Sequence, residues 1–144
     1  MDSNTYHITF ANNSFDLVYK LSVLHHIRHP NRIVQEMSRI ASQMICISDC
    51  NFMGQGTFPV RLLKWLIFSL HLWSDADFIK TKGKGYTLSE GDGLAYSYSV
   101  YQSLPILHQH WQTLRLMPLS GRYTPWGIQL SAAQLLVIGQ NKVV

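Results

Sequence analysis

The residues best placed for chemistry are three histidines near the N-terminus. His25, His26 and His29 form an HHxxH cluster, and the four-residue spacing of His25 and His29 lets both share one helical face, as metal ligands do. No Asp, Glu or Cys immediately around them completes a ligand set, so we predict no metal site. Cys46 and Cys50 are interpreted as a core residue and a pocket-rim residue.

Asp49 is the second chemical candidate, because it ends a short apolar run. At the carboxyl edge of an open α/β sheet, where ligands collect, such a residue either orients a substrate or caps the following loop. The sequence leaves these two roles open.

Three short elements must position these side chains. The run Phe15–Tyr19 follows turn residues, which predicts a buried strand. Residues 22–27 predict a helical turn, and Pro30–Ala41 an amphipathic helix that begins with proline. Met44–Ser48 predicts a second buried strand. Strand, helix and strand in this order indicate a right-handed βαβ unit with parallel strands.

The rest of the chain continues this pattern less regularly. Residues 51–57 predict a loop, and Phe58–Trp73 predicts one apolar helix, shorter than the ~20 residues of a membrane span. We expect that helix to pack on a sheet or cap a pocket rather than lie on a membrane. A further helix over 100–110 and strands over 113–117 and 134–139 follow.

The composition of the chain bears on its burial, its partners and its location. Apolar residues make up 47% and charged residues 14% of the 144 residues, so much of the chain must be buried or face a partner. The net charge of +4 is scattered, with Lys80, Lys82 and Lys84 as the one dense group, so we expect no nucleic-acid binding. Two cysteines and no leader-like N-terminus predict a reducing, cytoplasmic location.

Several segments, collinear along the chain, carry a family resemblance. They are Ile8–Phe10, Asn13–Val18, Leu24–His26, Pro30, Gln35–Met37 and Ile47–Asp49. In this order they resemble the second half of the type 11 family of class I S-adenosylmethionine-dependent methyltransferases. In that family an LPF-like turn and a DNSFDLV strand lead to LHH, a proline-started helix and a strand that ends in an acidic residue.

The resemblance implies a partial Rossmann-like α/β sheet. The family's seven strands have the order 3-2-1-4-5-7-6, so Phe15–Tyr19 would be the fourth, Met44–Ser48 the fifth, and the two late strands the sixth and the antiparallel seventh. By this register the first three strands are missing. The glycine-rich turn and the acidic residue that bind the cofactor in the family belong to these strands and are missing as well. We therefore expect a C-terminal half that binds S-adenosylmethionine poorly or not at all by itself.

The resemblance also implies two groups of site residues. The remaining cofactor wall would comprise Asn4, Thr5, Lys20, Leu21, Ser22 and His25. Residues 85–101 are similar to a segment over the active-site mouth of bacterial members, and the acceptor candidates are Asp49, Tyr86, Glu90, Asp92 and Tyr96. A hairpin that covers the sheet edge is the alternative for this segment. Asp49, Glu90, Asp92 and His25 remain open as general bases.

These expectations combine into one partial domain. Residues 1–57 form the βαβ core, 58–110 a helical and loop insertion over the acceptor pocket, and 111–144 a C-terminal antiparallel hairpin. The leading hypothesis is methyl transfer to a small-molecule acceptor, with activity that needs a separate N-terminal half. The alternative is a non-catalytic interaction protein that self-associates through the open edge of strand four. Peripheral membrane binding through 58–73 ranks last.

Overall fold

The computed structural model describes residues 6–91, 93–119, 127, 130 and 132–141. Its first elements are strand β1 (Phe15–Leu21), a 3-10 turn (Leu24–His26), helix α1 (Pro30–Ile40) and strand β2 (Ala41–Cys50). β1 and β2 are parallel, with Tyr19 opposite Cys46. The predicted strand, helix and parallel strand are therefore confirmed, although β2 is longer than the apolar run alone indicates. The predicted burial of β1 is wrong, because its other edge has no partner strand among the described residues and most of its side chains are exposed.

The second half adds two helices, a small hairpin and two strands. The elements are a 3-10 turn (Phe52–Gly54), α2 (Phe58–Ser69), α3 (Trp73–Lys80), β3 (Thr87–Ser89), β4 (Gly93–Ala95), a 3-10 turn (Val100–Ser103), α4 (Leu104–His110), β5 (Thr113–Pro118) and β6 (Gln134–Gln140). β3 and β4 form a separate antiparallel pair. The predicted helix over 100–110 thus divides into a 3-10 turn and α4.

The main sheet has the strand order β1-β2-β6-β5. β6 is antiparallel to both of its neighbours, β2 and β5. The predicted α/β fold with a mixed sheet is confirmed. The order agrees with the predicted succession of the last four family strands, and the assignment of family numbers to these strands stays a prediction.

The core lies between one face of the sheet and helices α1 and α4. Val34 and Met37 of α1 pack with Ile45 and Ile47 of β2 and with Val137 of β6, and all five are buried. Val34 and Met37 are three positions apart and so share one face of the helix, and Ile45 and Ile47 are two positions apart and so share one face of the strand. The core thus holds β1, β2 and α1 in a fixed relation, so the connections at their ends are well positioned.

β1 lies at one edge of this sheet. Val18 packs against the core, whereas Phe15, Leu17, Tyr19 and Leu21 alternate with it and are exposed. Among the described residues, β1 pairs with β2 alone. Its other edge therefore presents backbone groups to the surroundings beside an exposed row of apolar side chains.

The long apolar segment differs from its prediction. It is two helices rather than one, because the chain bends after Ser69 and His71 takes a left-handed conformation with φ of 60°. Neither α2 nor α3 contains a buried residue, and Leu62 and Leu63 are exposed. The sequence left open whether this segment packs on a sheet or caps a pocket, and Phe68 and Trp73 line a cavity, which agrees with the second arrangement.

Candidate functional site

The candidate site begins at the turn between β1 and α1. Ser22 leaves β1 in a left-handed conformation, with φ of 48°, and its N–H donates to the Ser48 carbonyl at 2.7 Å. This bond joins the carboxyl ends of the two parallel strands, and the 3-10 turn Leu24–His26 follows at once. Carboxyl ends of parallel strands are the usual ligand-binding edge of α/β sheets.

Asp49 holds this turn in place. Its side chain is fully buried and accepts four N–H bonds. One carboxylate oxygen accepts from the backbone N–H groups of Val23 at 3.0 Å and Leu24 at 2.7 Å. The other accepts from its neighbour Cys50 N–H at 2.7 Å and is 2.6 Å from His25 Nδ1. These partners fill the four acceptor positions that a carboxylate offers.

The short contact with Asp49 orients the ring of His25. A carboxylate only accepts, so His25 Nδ1 donates the proton in this bond. The neighbouring His26 ring lies 3.9 Å away between centroids, and His26 Nδ1 is 2.7 Å from the Leu94 carbonyl of the hairpin. Asp49 therefore fixes the His25 ring in the turn.

An open cavity of about 500 Å³ lies near this turn, and its lining begins at Arg28 without including His25 or Asp49. Its lining residues are Arg28, Pro30, Phe68, His71, Trp73, Ser74, Asp77, Gly85, Tyr96, Ser97, Tyr98 and Gln102. The Tyr96 N–H donates to the His25 carbonyl at 2.7 Å, so the aromatic wall is tied directly to the histidine turn. The volume and the mixture of aromatic and polar groups fit a small organic molecule.

Tyr98 and its neighbours form the inner wall of this cavity. The Tyr98 hydroxyl lies 2.8 Å from Ser103 Oγ, which in turn donates to Asn31 Oδ1 at 3.0 Å. Burial raises the pKa of the Tyr98 phenol above its ordinary value, so the ring stays neutral. This wall is thus fixed by packing and hydrogen bonds before any ligand arrives.

A buried amide joins three distant parts of the chain next to the cavity. Asn51 follows β2, and its Nδ2 donates to the Ala132 carbonyl at 2.8 Å while Oδ1 accepts from Ser99 Oγ at 2.9 Å. The Asn51 N–H also donates to the Ala133 carbonyl at 2.8 Å. Asn51 and Ser99 are fully buried, so this junction fixes the loop after β2 against the cavity segment and the entry to β6.

The known proteins that this chain resembles are methyltransferases. Residues 1–43 match the family model described as a methyltransferase domain. The predicted resemblance is confirmed. The match covers the histidine turn and α1 and stops inside β2, so it lies in the N-terminal part of this chain. No curated protein matches the chain.

Two solved structures share the methyltransferase fold. A SAM-dependent methyltransferase from Methanosarcina mazei is 16% identical, with a TM-score of 0.54, over 99% of this chain and 66% of its own. A SAM-dependent methyltransferase from Thermotoga maritima, titled a possible histamine N-methyltransferase, is 11% identical, with a TM-score of 0.53, over 95% of this chain and 60% of its own. The methyltransferase-like chain therefore spans less than two thirds of the length of either neighbour.

Several of the predicted site residues lie at or near the histidine turn of this methyltransferase-like fold. Lys20 and Leu21 end β1 beside Ser22, and these three lead into the turn that carries His25. Asp49 lies beneath that turn, and Tyr96 lines the cavity.

Of the remaining acceptor candidates, the structure describes Tyr86 and Glu90. Tyr86 contacts Tyr96 edge to face at 6.3 Å between centroids. Glu90 is exposed in the turn of the β3–β4 hairpin. Asn4, Thr5 and Asp92 lie outside the described residues.

The histidine cluster has neighbours that the sequence did not reveal. His25, Asp49 and Cys50 bring ligand atoms within 4.8 Å of one another, so an acid and a thiol do lie beside the histidine. The reasoning that no such residue is near was therefore wrong, because Asp49 and Cys50 come from the next strand. The Asp49 oxygens are already engaged by four N–H bonds, which fits a positioning role better than metal ligation.

No helix among the described residues has both the length and the apolar character needed to cross a bilayer.

Proposed function

We propose that this chain is part of a methyltransferase that transfers a methyl group from S-adenosylmethionine to a small-molecule acceptor. The observation that supports this most directly is the Asp49–His25 pair, which lies at the carboxyl ends of two parallel strands and is linked through the Tyr96 N–H to the wall of a cavity of about 500 Å³. The family match over residues 1–43 includes the same turn.

The residues present fit one wall of a cofactor site. Leu21 offers an exposed apolar surface at the end of β1, and Ser22 offers a hydroxyl in a bent backbone. Bound S-adenosylmethionine would supply an electrophilic methyl group. Lys20, Leu21, Ser22 and His25 would line its methionine end, as the family resemblance implies, and Asn4 and Thr5 its adenine side.

The acceptor would occupy the cavity near the histidine turn. Tyr96 contributes to its wall, Tyr86 supports that ring, and the hairpin with Glu90 in its turn borders the same segment, while Asp92 stays an acceptor candidate by the resemblance. If the acceptor must lose a proton, His25 is the base that we propose among the candidates, because Asp49 fixes its ring through Nδ1. The rest of catalysis is alignment of the acceptor with the methyl group.

We further propose that β1, β2, β5 and β6 correspond to the fourth, fifth, sixth and seventh strands of the family sheet. The order β1-β2-β6-β5 and the reversed direction of β6 support this assignment. The glycine-rich turn that grips the cofactor would then come from a segment that pairs with the open edge of β1. We expect activity only when such a segment is supplied.

The test mixes the purified chain with a separately expressed type 11 segment that carries the glycine-rich turn and the strands next to it. We expect S-adenosylhomocysteine binding by calorimetry to be tighter for the mixture than for either piece, followed by methyl transfer to members of a small-molecule library. If the mixture binds no better than the added segment alone, the proposal is wrong.

A pair of histidine variants tests the role of the dyad. His25→Gln should lower turnover in the reconstituted enzyme by about 10²-fold or more if the acceptor loses a proton. His108→Gln, at an exposed position of α4, is the matched control and should leave turnover unchanged. Equal effects of the two changes would remove His25 from the mechanism.

A second candidate function is non-catalytic association through β1. The observation in its favour is the exposed row Leu17, Tyr19 and Leu21 beside an edge that can accept another strand. A second copy could pair there and extend the sheet. Sedimentation would show a dimer that Leu17→Lys disrupts, and a monomer at high concentration would contradict this candidate.

A further inference from the structure

Helix α2 turns its apolar face away from the protein and its cationic side chains toward it. Eight of its residues are exposed, and all of them except Val60 lie on one side of the helix: Phe58, Pro59, Val60, Leu62, Leu63, Trp65, Leu66 and Ser69. Seven of these eight are apolar, so the surface turned away from the protein is the apolar one. A helix that simply covers a sheet presents its polar face outward.

The cations of α2 point toward the protein instead. Arg61 donates through Nε to the Gly56 carbonyl at 2.6 Å and through Nη1 to the Leu130 carbonyl at 3.1 Å. Lys64 Nζ donates to the carbonyls of Phe52 at 3.0 Å and Gln55 at 3.1 Å. Two long polar side chains therefore hold α2 in this orientation, which exposes Leu62, Leu63 and Leu66 as a consequence of specific bonds.

Helix α3 and the residues after it continue the exposed surface and add charge. Phe78 and Ile79 are 63% and 76% exposed, and Lys82 and Lys84 are exposed just beyond the helix. With Arg61 and Lys64 turned toward the protein, residues 73–88 supply the remaining charge, three lysines against two aspartates. The apolar surface therefore has lysines beside it and a small net positive charge.

We propose that α2 and α3 form a surface that lies on an anionic phospholipid bilayer. Exposed Leu, Phe and Trp side chains beside lysines are the combination that anchors interfacial helices, and each lysine adds attraction to anionic headgroups. The two helices would lie in the headgroup region without crossing it, since α2 has 12 residues and α3 has 8. This inference is independent of the proposed transfer activity.

A bilayer fits this surface better than a second copy of the chain. A second copy would bring Lys82 and Lys84 together with their own counterparts, because a two-fold contact repeats the same patch on both sides. An anionic lipid surface instead complements the charge and accommodates side chains that project by different amounts. The surface is thus matched in both polarity and sign to phospholipid.

The experiment is co-sedimentation of the full chain with phosphatidylcholine vesicles, with and without phosphatidylglycerol. We expect binding to the anionic vesicles that weakens with salt, and much less binding to neutral ones. Replacing Lys82→Gln and Lys84→Gln together should weaken partitioning about 25-fold. Replacing Leu62→Gln, Leu63→Gln and Leu66→Gln together should weaken it about 100-fold.

Matched controls distinguish vesicle binding through α2 and α3 from nonspecific hydrophobic adsorption. Leu17→Gln with Tyr19→Gln removes two exposed apolar side chains from β1 and should leave vesicle binding unchanged. Urea unfolding should show that the triple leucine variant is folded, since those side chains are exposed already. Equal binding to neutral and anionic vesicles would overturn the proposal. A dimer abolished by the leucine changes, without vesicle binding, would assign the surface to a second copy and overturn it as well.

Discussion

The substitution Asp49→Asn tests the central interaction of the site. Asn keeps the size of the side chain but has one acceptor oxygen and an NH₂ group in place of two acceptor oxygens. Two of the four N–H bonds to Asp49 must then be lost, and the new NH₂ faces N–H donors. At about 1.5–3 kcal/mol for each bond to a charged group, the expected loss is about 3–6 kcal/mol in the free energy of unfolding.

The assay for this change is urea unfolding followed by circular dichroism. Asp16→Asn is the matched control, because Asp16 is exposed and both of its bonds, from Ser42 Oγ and Gln43 Nε2, go to one oxygen that Asn retains. That change should cost about 0.5 kcal/mol or less. A loss below about 1 kcal/mol for Asp49→Asn would refute the reasoning, because it would mean that the four bonds do not hold the turn.

Three further predictions concern the framework around the site. The hydrogen bond from Arg39 lowers the pKa of Glu36 from 4.5, so this pair should stabilise the fold above pH 4.5 and lose that effect as the pH falls through the lowered pKa. In urea unfolding at several pH values across that range, Glu36→Gln should make the free energy of unfolding depend less on pH. Gly139→Ala should cost about 1–3 kcal/mol in urea unfolding, since the new Cβ would lie 2.8 Å from Trp111 Cγ. Burial raises the pKa of the Cys46 thiol above 9.0, so alkylation followed by mass spectrometry should find it slower than a free thiol at pH 8.

The sequence was sufficient to predict β1, α1 and β2, because the alternation of strands and the period of a helix are local properties. It could not predict the donors to Asp49, since Val23 and Leu24 lie more than 20 positions away and meet it only when β1 and β2 pair. The same holds for Cys50, which comes from β2 and completes the group around the histidine turn.

The orientation of α2 was beyond sequence reasoning for another reason. Leu62 and Leu63 are as apolar as core residues, and nothing in their spacing tells that Arg61 and Lys64 bind backbone carbonyls on the inner side. Hydropathy patterns assume that apolar faces turn inward. The carbonyls that reverse this rule belong to Phe52, Gln55 and Gly56 just before α2 and to the distant Leu130, and a backbone carbonyl leaves no mark in the sequence. The break at His71 likewise depends on a left-handed residue that is not glycine.

The buried amide of Asn51 has a consequence for local opening of the chain. It joins the end of β2, the segment at Ser99 and the entry to β6 through three hydrogen bonds. Any fluctuation that frees one of these segments must break bonds to the other two, so their backbone amides should exchange with deuterium at a common rate, as one cooperative unit. The exposed β3–β4 hairpin, which takes no part in these three bonds, would exchange earlier and at its own rate.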